Sequence, residues 1–378
     1  MTNSFPILQT MKTFLQESWE KANFNEPTAI QQKAIPPILE GKDLLAESPT
    51  GTGKTLAYLL PLLEKIDPAK KNLQAIVLAS SRELVMQISD EIRVWGGGSI
   101  TSASLIGGAN IKRQIERLKK QPQVVAGTPG RIQELIQMKK LKMHEVKLIV
   151  LDEGDQLLVP EHMKNLEAIV KSTMKDRQMV LFSATLPPKT EDLAKSLMKE
   201  PDVIKVGKED MPASKVEHHY FVCDRRDKNL MVERIMRGYN PERVLAFIND
   251  IGNVGAFASK LEFKGFANGM LHSELNKQER ESALRRFRDG SLPLLFATDV
   301  AARGLDIKGL THVLHFDLPK DVTQYTHRAG RTGRSGAEGT VIALVTEREE
   351  RDLKRLARDL GIKLEKKEFY KGQPVEAN

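Results

Sequence analysis

The sequence has a single cysteine among its 378 residues. A lone cysteine cannot form an intramolecular disulfide, so a disulfide-stapled secreted scaffold is excluded. This residue, Cys223, lies in a short apolar run typical of a strand, which predicts a thiol packed in the core. Such cysteine usage fits a reducing compartment, and we expect a cytoplasmic protein.

The sequence also lacks long apolar runs. No stretch approaches the roughly 20 apolar residues that a membrane-spanning helix needs. The first residues do not show the basic-then-apolar pattern of a secretory signal peptide. No short-period repeat or low-complexity tract is present. We therefore expect a protein that is neither exported nor embedded in a membrane.

The sequence does have the composition of a folded protein with an excess of positive charge. Hydrophobic residues make up 40% of it and charged residues 29%. At 378 residues the chain exceeds one ordinary core, so about two domains are expected. The formal net charge is +8 and the sequence isoelectric point is near 9.3. This charge favours a polyanionic partner such as nucleic acid.

Short apolar runs alternate along the chain with segments whose apolar residues recur every three or four positions. The runs predict strands and the segments predict helices, as in parallel sheets covered by helices on both faces. In the first half the predicted strands are 43–46, 74–79, 124–127, 148–152, 179–183 and 203–206. In the second half they are 217–222, 244–248, 268–271, 294–297, 311–316 and 340–345.

The alternation lapses between residues 207 and 215, a segment rich in glycine, proline and charge, which predicts a linker. It divides the chain into an amino-terminal α/β domain, residues 1–206, and a carboxy-terminal α/β domain, residues 216–366. Residues 367–378 are predicted to be a short tail. Ligands of parallel sheets bind at the carboxyl ends of the strands, so functional residues are expected just after them.

The most informative stretch lies between the first predicted strand and an apolar helical segment. It is typical of a phosphate-binding loop, in which backbone N–H groups surround a polyphosphate and the next helix directs its positive end at the anion. In this pattern Lys54 reaches the outer phosphates, and the Thr55 hydroxyl binds Mg²⁺. The predicted phosphate-binding residues are Ser48, Pro49, Thr50, Gly51, Thr52, Gly53, Lys54 and Thr55.

A cluster of carboxylates follows the apolar strand 148–151: Asp152, Glu153 and Asp155, interrupted by Gly154. In a phosphate-loop protein an acid at this place holds hydrated Mg²⁺, and a neighbour orients the attacking water. We assign the metal to Asp152 and the water to Glu153. A solvated acidic turn is the alternative for the cluster alone, but its position after the phosphate loop favours catalysis.

Two stretches of the second half, 297–306 and 327–334, are dense in polar residues. Arginines on a glycine-interrupted turn suit neutralisation of charge on a transferred phosphoryl group, because guanidinium donors bridge phosphate oxygens. Surface ion pairs are the alternative for a single arginine. The density of arginines in 327–334 favours phosphate contact.

Together these stretches resemble the DEAD-box RNA helicases of superfamily 2, from Phe5 to about residue 360. The resemblance implies α/β architecture with two tandem RecA-like domains, each a mostly parallel sheet with helices on both faces. The region 5–36 is similar to the family's Q motif, which binds adenine. The resemblance assigns that role to Phe5, Phe24 and Gln31, although Asn23 replaces the usual glycine.

Three further stretches resemble motifs that grip the RNA backbone in this family. They are 81–84 (motif Ia), 107–108 (the GG motif) and 128–131 (motif Ib), with Ser80-Ser81 where Pro-Thr is usual. The resemblance implies RNA contacts by Arg82, Gly108, Thr128, Pro129, Gly130 and Arg131.

The carboxylate cluster matches the name-giving motif of the family, with Gly154 in place of alanine. This substitution spares the three carboxylates and is expected to loosen the backbone. The stretch 183–185 matches motif III, which couples the nucleotide to domain closure in the family. The resemblance therefore implies coupling roles for Asp155, Ser183 and Thr185.

In the second half, 247–249 is similar to motif IV, 298–306 to motif V and 327–334 to motif VI. Only Arg280 carries over from the family's Gln-x-x-Arg element, since Lys277 stands where glutamine is expected. The resemblance implies RNA contact by Arg280 and Thr298, nucleotide contact by Gly304 and Asp306, coupling by His327, and arginine fingers at Arg331 and Arg334.

These assignments imply ATP and Mg²⁺ as cofactors and RNA, held mostly through its backbone, as the partner. The predicted protein is a monomeric ATP-dependent RNA helicase that unwinds short duplexes or remodels RNA–protein complexes, such as ribosomal particles, in ribosome assembly or RNA turnover. An ATP-gated RNA clamp and a DNA translocase of the same two-domain plan are the alternatives. Intact Glu153, Arg331 and Arg334 favour an active enzyme over a clamp.

Overall fold

The computed structural model describes residues 6–22, 24, 26–207, 210, 216–249, 252, 254–272, 274–302, 307, 309–333 and 337–377, without the side chains of 254–257 and 277. The chain divides into two compact units, Met1–Met211 and Pro212–Asn378. The division falls inside the segment 207–215. Each unit has its own sheet and its own hydrophobic core.

Unit 1 contains seven strands: β1 (Leu44–Glu47), β2 (Ala75–Leu78), β3 (Ser102–Leu105), β4 (Val124–Gly127), β5 (Leu148–Asp152), β6 (Gln178–Ser183) and β7 (Asp202–Lys205). They form one sheet in the order β3-β4-β2-β5-β6-β1-β7, and every paired strand is parallel to its neighbour. Strands β2, β4, β5 and β6 are buried along their whole length, because helices cover both faces of the sheet.

The helices of unit 1 fall into two layers, one on each face of the sheet. The first layer packs on one hydrophobic cluster and consists of α1 (Pro6–Gln9), α2 (Thr13–Ala22), α3 (Ala29–Glu40), α4 (Lys54–Lys65) and α5 (Arg82–Trp95). The second packs on the other cluster and consists of α6 (Ile111–Leu118), α7 (Pro129–Gln137), α8 (Gly154–Leu157), α9 (Pro160–Lys171) and α10 (Pro188–Leu197).

Unit 2 contains eight strands: β8 (Val216–Val222), β9 (Val244–Phe247), β10 (Asn268–Leu271), β11 (Leu294–Ala297), β12 (His312–His315), β13 (Gly339–Val345), β14 (Glu365–Tyr370) and β15 (Gln373–Glu376). Their order is β10-β11-β9-β12-β13-β8-β14-β15, and only the last pair is antiparallel. Its helices are α11 (Lys228–Gly238), α12 (Val254–Phe263), α13 (Lys277–Arg288), α14 (Asp299–Ala302), α15 (Val322–Ala329) and α16 (Glu347–Leu360).

The two sheets share one topology. Numbered within each unit, the first seven strands follow the same order, so β1 corresponds to β8 and β7 to β14. Hydrophobic clusters lie on both faces of the second sheet as well. The prediction of two tandem α/β domains with mostly parallel sheets is confirmed.

The end of the chain differs from the predicted tail at 367–378. Strand β14 extends the sheet beside β8, and β15 turns back against it through Lys371 and Gly372, which both have positive φ (48° and 82°). Phe369 stacks on Phe221 with ring centroids 4.9 Å apart. Inner and outer residues alternate along β14, so its exposed charges give the hairpin the composition of a tail.

The structure also shows the surroundings of the lone cysteine and the character of the helices. Cys223 is partly buried just after β8, and burial raises the pKa of its thiol above the usual value. Within the described residues, no helix combines the length and the apolar character needed to cross a membrane.

Candidate functional site

The predicted phosphate loop connects β1 to α4 at the carboxyl edge of the first sheet. Gly51 and Gly53 have φ values of 79° and 89°, a left-handed conformation that glycine adopts without strain. The Lys54 ammonium donates to the carbonyl oxygens of Ser48 (2.6 Å) and Pro49 (2.9 Å), so it lies over the loop. The backbone thus has the curled form that anion binding requires.

Two hydroxyls brace the loop from within. The Thr52 hydroxyl donates to the Pro49 carbonyl at 2.8 Å and lies 2.8 Å from the Ser48 hydroxyl. The Ser48 N–H donates to the Ser183 carbonyl at the end of β6, 3.0 Å away. Serine at position 48 therefore takes part in the internal bonding of the loop, where a glycine would have no side chain to contribute.

Gln31, predicted to contact the nucleotide, is packed against the same loop. Its Oε1 accepts from the Thr28 N–H (2.9 Å), and its Nε2 donates to the Gly53 carbonyl (3.3 Å). A Cβ on Gly53 would lie 2.6 Å from that Nε2, so only glycine leaves room for the amide. Gln31 thus joins the start of α3 to the phosphate loop.

Phe24 lies in an aromatic group some distance along the chain from the loop. Its ring stacks on Trp95, with centroids 6.2 Å apart, and meets Trp19 edge-on at 5.1 Å. Both tryptophans are buried, whereas Phe24 keeps 45% of its surface exposed. Phe24 therefore packs partly on unit 1 and partly faces solvent. Phe5, its predicted partner in adenine binding, is outside the described residues.

Asp152 ends β5 beside the phosphate loop and is almost fully buried. Its Oδ2 accepts from the Tyr58 hydroxyl (2.8 Å) and its Oδ1 from the Glu153 N–H (2.9 Å). Burial, then the charge of Glu153, raises the pKa of Asp152 to about 6, while the Tyr58 hydrogen bond and the charge of Lys54 oppose the rise. The carboxylate of Asp152, the predicted metal ligand, therefore interacts electrostatically with the ammonium group of Lys54 in the loop.

Tyr58 is a site residue that the sequence analysis missed. Its hydroxyl donates to Asp152 Oδ2 at 2.8 Å, and the residue lies about one helical turn after Thr55 on α4. Tyr58 thereby holds one predicted metal ligand, Asp152, from the helix that carries the other. A tyrosine on the buried side of an apolar helix resembles an ordinary core residue, so its sequence gives no separate signal.

Glu153, predicted to orient water, has φ 52° and ψ 56°. A non-glycine residue in this left-handed region is strained and commonly marks a functional position. The Ser80 hydroxyl, at the end of β2, donates to its Oε2 at 3.4 Å. Ser80 stands where the family has proline, so this contact comes from the departure at 80–81.

The predicted coupling residues Asp155 and Ser183 are in direct contact. The Asp155 N–H donates to the Ser183 hydroxyl (3.1 Å), which lies 2.7 Å from Asp155 Oδ1 and 2.7 Å from the Thr185 carbonyl. The buried Thr185 hydroxyl has no hydrogen-bond partner among the described residues. Because Ser183 also contacts the phosphate loop through its carbonyl, this group joins the loop to the carboxylates.

Gly154 differs from its expected role. It lies buried in the first turn of α8, and an added Cβ would come within 2.5 Å of Leu181 Cδ2. Leu181 therefore occupies the volume that the methyl group of alanine, the usual residue in this family, would need. Packing against this leucine, rather than backbone freedom, accounts for the glycine in this chain.

The predicted RNA-contacting residues gather at the ends of β2, β3 and β4. The Arg82 guanidinium covers Gly108, where an added Cβ would lie 2.4 Å from Nη2. Arg131 donates from Nη1 to the Ala109 carbonyl (3.1 Å), and its Nε lies 2.8 Å from Glu134 Oε2. The structure thus brings Arg82, Gly108 and Arg131 together, and Gly108 has the left-handed φ of 73° that favours glycine.

Thr128 precedes α7 at the same edge. Its hydroxyl accepts from the Gly107 N–H (3.4 Å), so motif Ib contacts the GG loop directly. Pro129 and Gly130 are the first residues of α7, and proline is favourable there because the first helical N–H has no partner.

Strand order separates these two groups of residues along one edge of unit 1. The phosphate loop, the carboxylates and Ser183 follow β1, β5 and β6, which are neighbours, whereas the Arg82 group follows β2, β4 and β3. Ser80 and Glu153 meet where β2 lies beside β5. The carboxyl edge therefore carries two adjoining groups of predicted site residues, at the edge where ligands of such sheets bind.

In unit 2, Arg328 is a fully buried residue that the sequence analysis did not single out. It forms a two-point ion pair with Asp299 (Nε–Oδ1 2.7 Å, Nη2–Oδ2 2.6 Å) and donates to the Asp317 carbonyl (2.7 Å) and Asn249 Oδ1 (2.9 Å). Its guanidinium also stacks over Phe247. Arg328 therefore ties motifs IV, V and VI together inside unit 2.

Arg331, the predicted arginine finger, lies at the end of α15 and donates from Nε to the His327 carbonyl (3.2 Å). It is 8% exposed. The other predicted finger, Arg334, and the predicted nucleotide contacts Gly304 and Asp306 lie outside the described residues.

Arg280 and Thr298 come together at the carboxyl edge of the second sheet. Arg280 Nη2 donates to the Ala301 carbonyl (2.7 Å). Thr298 starts α14, where its hydroxyl accepts from the Ala301 N–H (3.4 Å). The two predicted RNA contacts of unit 2 therefore belong to one local structure.

The fold and the loop define a class: an α/β protein of two units, the first of which has a P-loop between β1 and α4. The DEAD/DEAH box helicase family model matches residues 28–193, and the helicase conserved C-terminal domain model matches residues 227–336. The matches cover the phosphate loop and carboxylates in unit 1 and the Arg328 region in unit 2.

Curated relatives extend the match to nearly the whole chain. "Probable ATP-dependent RNA helicase YfmL" of Bacillus subtilis is 51% identical over 374 residues, 99% of each chain. The DEAD-box ATP-dependent RNA helicase CshC of Bacillus cereus is 54% identical over 371 residues, 98% of this chain and 95% of the relative. The chain therefore belongs to the family of DEAD-box ATP-dependent RNA helicases, which are ATPases.

Solved structures agree with this assignment. Dbp5 of S. cerevisiae bound to RNA and ADP BeF3 matches with a TM-score of 0.86 and 29% identity, covering 97% of this chain and 95% of that one. Mss116p bound to ssRNA and AMP-PNP matches with a TM-score of 0.84 and 28% identity, covering 95% and 78%. The predicted family and the tandem RecA-like fold are confirmed.

Proposed function

We propose that this protein is an RNA-dependent ATPase that unwinds short RNA duplexes or remodels RNA–protein complexes, with 1–206 and 216–366 as its working domains. The observation that carries the proposal is the contact of Ser80 with Glu153, which joins the Arg82 group to the catalytic carboxylates on one sheet edge. RNA bound at the Arg82 group would therefore lie next to the carboxylates that we assign to ATP hydrolysis. RNA-bound Dbp5 and Mss116p support this reading.

ATP binding is assigned to the phosphate loop and the residues around it. Lys54 places its charge on the outer phosphates, and Glu153 orients the attacking water. Phe5, Phe24, Gln31, Gly304 and Asp306 complete the proposed nucleotide contacts. The Phe24 ring, which is 45% exposed, and the amide of Gln31 at the loop support their part.

Mg²⁺ fits the residues present, because Thr55 and Asp152 supply oxygen ligands, and Tyr58 on the same helix as Thr55 donates a hydrogen bond to Asp152. No group of three or more histidine, cysteine, aspartate or glutamate side chains able to hold a metal occurs in the described part of the chain. Two protein oxygens and several waters suit Mg²⁺, which dehydrates reluctantly. Bound there, the ion would neutralise phosphate charge, while Asp152 holds it partly through water.

RNA binding is assigned to Arg82, Gly108, Thr128, Pro129, Gly130 and Arg131 in unit 1 and to Arg280 and Thr298 in unit 2. These groups suit backbone contacts, so binding should be largely independent of sequence. We further propose that Asp155, Ser183, Thr185 and His327 couple ATP and RNA binding to closure of the domains. Arg331 and Arg334 then act on the transferred phosphoryl group.

The composition of the sequence supports a proposal about where the protein acts in the cell. One cysteine fits a reducing cytoplasm, and the net charge of +8 fits large RNA assemblies such as ribosomal particles. We therefore propose a cytoplasmic monomer that acts in ribosome assembly or RNA turnover. Sequencing of RNA crosslinked to the protein in cells would test this assignment.

The first prediction tests the enzymatic proposal itself. RNA should stimulate ATP hydrolysis, and DNA of the same sequence should stimulate it far less. Glu153→Gln should still bind ATP and RNA but hydrolyse roughly 10²-fold more slowly, because it keeps its shape and loses the carboxylate. Lys54→Ala should abolish productive ATP use, because the charge on the outer phosphates is lost.

Glu161→Gln is the matched control, since Glu161 is an exposed glutamate at the start of α9. It should hydrolyse at the wild-type rate. Equal stimulation by DNA would favour a translocase on DNA, and wild-type turnover of Glu153→Gln would remove the carboxylate from its role.

A further inference from the structure

We propose that the exposed face of α6 is an additional RNA-binding surface for the sugar-phosphate backbone that flanks the segment held at the carboxyl edge of unit 1. We define this α6 basic face as Lys112, Arg113, Arg117, Lys119 and Lys120. The inference rests on the proposed function, because it assumes that RNA binds at the edge beside Gly108.

Positive charge is concentrated on one side of this short helix. All five side chains are exposed, whereas Ile111, Gln114, Ile115 and Leu118 turn toward the sheet. Glu116 is the one acidic residue between 111 and 120, and its carboxylate already pairs with Lys119 at 2.7 Å. The α6 basic face therefore keeps a net charge of about +4 after the Glu116 pair is counted.

Four of the five residues of the α6 basic face, all except Lys119, have no ion pair with a carboxylate among the described residues. On other exposed helices several basic residues do pair with acids three or four positions away, as in Arg93–Asp90, Lys171–Glu167 and Lys195–Glu191. Within the described residues, no carboxylate lies within 4.0 Å of the charged groups of Lys112, Arg113, Arg117 or Lys120. Arg113 and Arg117 are like charges four apart, an arrangement that destabilises a helix by a few tenths of a kcal/mol. A bound polyanion would offset that repulsion.

The helix is also attached rigidly to the loop predicted to contact RNA. The Gln114 amide is buried and makes two hydrogen bonds with the backbone of Ile106, accepting from its N–H (3.2 Å) and donating to its carbonyl (3.0 Å). Asn110 caps α6 by accepting from the Arg113 N–H (3.2 Å). Since Gly107-Gly108 lies between these anchors, RNA leaving Gly108 meets α6 next.

Further exposed basic residues lie on the same face of the sheet as α6. Helix α6 has eight residues and so extends about 12 Å away from the carboxyl edge. Lys139, Lys140 and Lys142 follow α7 on the same face of the sheet and are exposed, again with no carboxylate within 4.0 Å among the described residues. Positive charge thus continues beyond the end of α6, as a flanking duplex or strand would require.

The test compares a short single strand with the same strand joined to a duplex flank. The short strand, roughly 10 nucleotides, is sized for the edge site alone. One substrate carries the duplex on the 5′ side and another on the 3′ side. The triple variant Lys112→Gln, Arg113→Gln, Arg117→Gln removes three charges and keeps good helix formers. The control Lys164→Gln, Lys171→Gln, Lys175→Gln removes three exposed charges on and just after α9.

We expect the wild type to bind one flanked substrate more tightly than the short strand. The triple variant should bind the short strand as the wild type does and lose the added affinity, roughly tenfold or more. Its log–log salt slope for the flanked RNA should fall by about 2 to 3, since each of the three lost phosphate contacts contributes about 0.7 on a single strand and about 0.9 on a duplex. The control should retain both the affinity and the slope.

The outcomes separate this inference from the proposed function. If the wild type does not bind the short strand, the proposed function fails. If it binds the short strand but gains nothing from either flank, the α6 inference alone is overturned. The inference is also overturned if the triple variant keeps the gain, which would make a protein partner the candidate for this face, or if the control loses as much.

Discussion

Gly154 depends on one neighbouring side chain. The residue is buried at the start of α8, and a Cβ there would lie 2.5 Å from Leu181 Cδ2 and 2.7 Å from Leu181 Cγ. Because Cγ is a branch point, a rotation of the leucine tip does not clear the contact. Leu181 is fully buried in β6, two residues before Ser183. The glycine in the carboxylate cluster and the leucine beside motif III therefore form one packing pair.

We predict that Gly154→Ala lowers the free energy of unfolding of unit 1 by about 1–3 kcal/mol, the usual cost of overpacking a core. Adding Leu181→Val should recover part of this loss, because it removes a methylene group from the crowded position. Urea unfolding followed by tryptophan fluorescence measures the effect in unit 1, since both tryptophans, Trp19 and Trp95, belong to it.

Leu181→Val alone is the necessary control and should cost about 1 kcal/mol, as small core truncations do. The prediction is wrong if Gly154→Ala unfolds at the wild-type urea concentration. It is also wrong if the effects of the two changes simply add, since residues in contact should be coupled.

Single residues also show what the sequence could reveal about the site. Lys54, Asp152 and Ser183 were predictable because motif spacing and the strand before each one place them at the same sheet edge. Tyr58 and Arg328 were not, because their roles depend on partners distant in sequence, Asp152 and Asp299. A buried tyrosine on an apolar helix has the same local pattern whether or not a carboxylate lies above it.

Strand β12 places two histidines on opposite sides of the second sheet. His315 is fully buried, and neither ring nitrogen has a hydrogen-bond partner among the described residues. Burial, followed by the nearby charges of Arg328 and His218, holds the pKa of His315 well below its usual value. Burial and His219 likewise lower the pKa of His312 to about 4. Both rings are neutral in folded unit 2 at neutral pH.

We predict that unit 2 loses stability as the pH falls from about 6.5 toward 4. The unfolded histidines take up protons near pH 6.5 while the folded ones do not, so the unfolded state binds more protons and is favoured. Each such histidine contributes up to about 1.4 kcal/mol per pH unit in this range. Urea titrations followed by circular dichroism at several pH values, with tryptophan fluorescence reporting unit 1, measure the change.

His315→Phe should reduce this pH dependence by about one proton, because phenylalanine keeps the aromatic contact with Tyr325 and does not titrate. His144→Gln is the control, since His144 is exposed and belongs to unit 1. An unchanged pH dependence in His315→Phe would show that this histidine does not contribute.

At the scale of strands, apolar composition decided which elements were predictable. All twelve predicted strands are present, and their bounds agree within about two residues. Ten of them lie in the interior of a sheet, and β7 and β10 lie at an edge. Strand β3, Ser102–Leu105, was missed because two of its four residues are serines, one of which is buried between neighbouring elements. The β14–β15 hairpin was missed because an edge strand exposes charged residues on one side, a pattern shared with solvated tails.

The whole chain contains one topology twice, with different chemistry after equivalent strands. In unit 1 the first strand leads to the glycine-rich phosphate loop, whereas in unit 2 the equivalent strand β8 leads to Cys223 and a charged turn at 224–227. Phosphate binding by backbone N–H groups is therefore expected in unit 1 alone. Unit 2 offers arginines instead, and Arg328 and Arg331 are both buried in its described part.

We predict separate effects for these two neighbouring arginines. Arg328 is bound on every side by groups of unit 2, so Arg328→Ala leaves Asp299 without its cation and should destabilise unit 2 by about 3–5 kcal/mol. Arg331 lies at the end of α15 and donates from Nε to the His327 carbonyl. Its assigned role is on the nucleotide, so Arg331→Ala should fold normally.

The last prediction is that Arg331→Ala keeps nucleotide affinity while RNA-stimulated hydrolysis falls by roughly 10³-fold or more, as expected when an arginine stabilises charge only in the transition state. ATP contacts assigned to unit 1 remain, so binding should not change. The measurements are the ATPase rate at saturating RNA, the affinity for a nucleotide analogue, and the urea unfolding of unit 2 by circular dichroism. Arg331→Lys should remain slow, because a lysine lacks the two-point guanidinium geometry. Wild-type hydrolysis by Arg331→Ala would mean that unit 2 does not supply this charge, and a loss of unit 2 stability equal to that of Arg328→Ala would make Arg331 a structural residue.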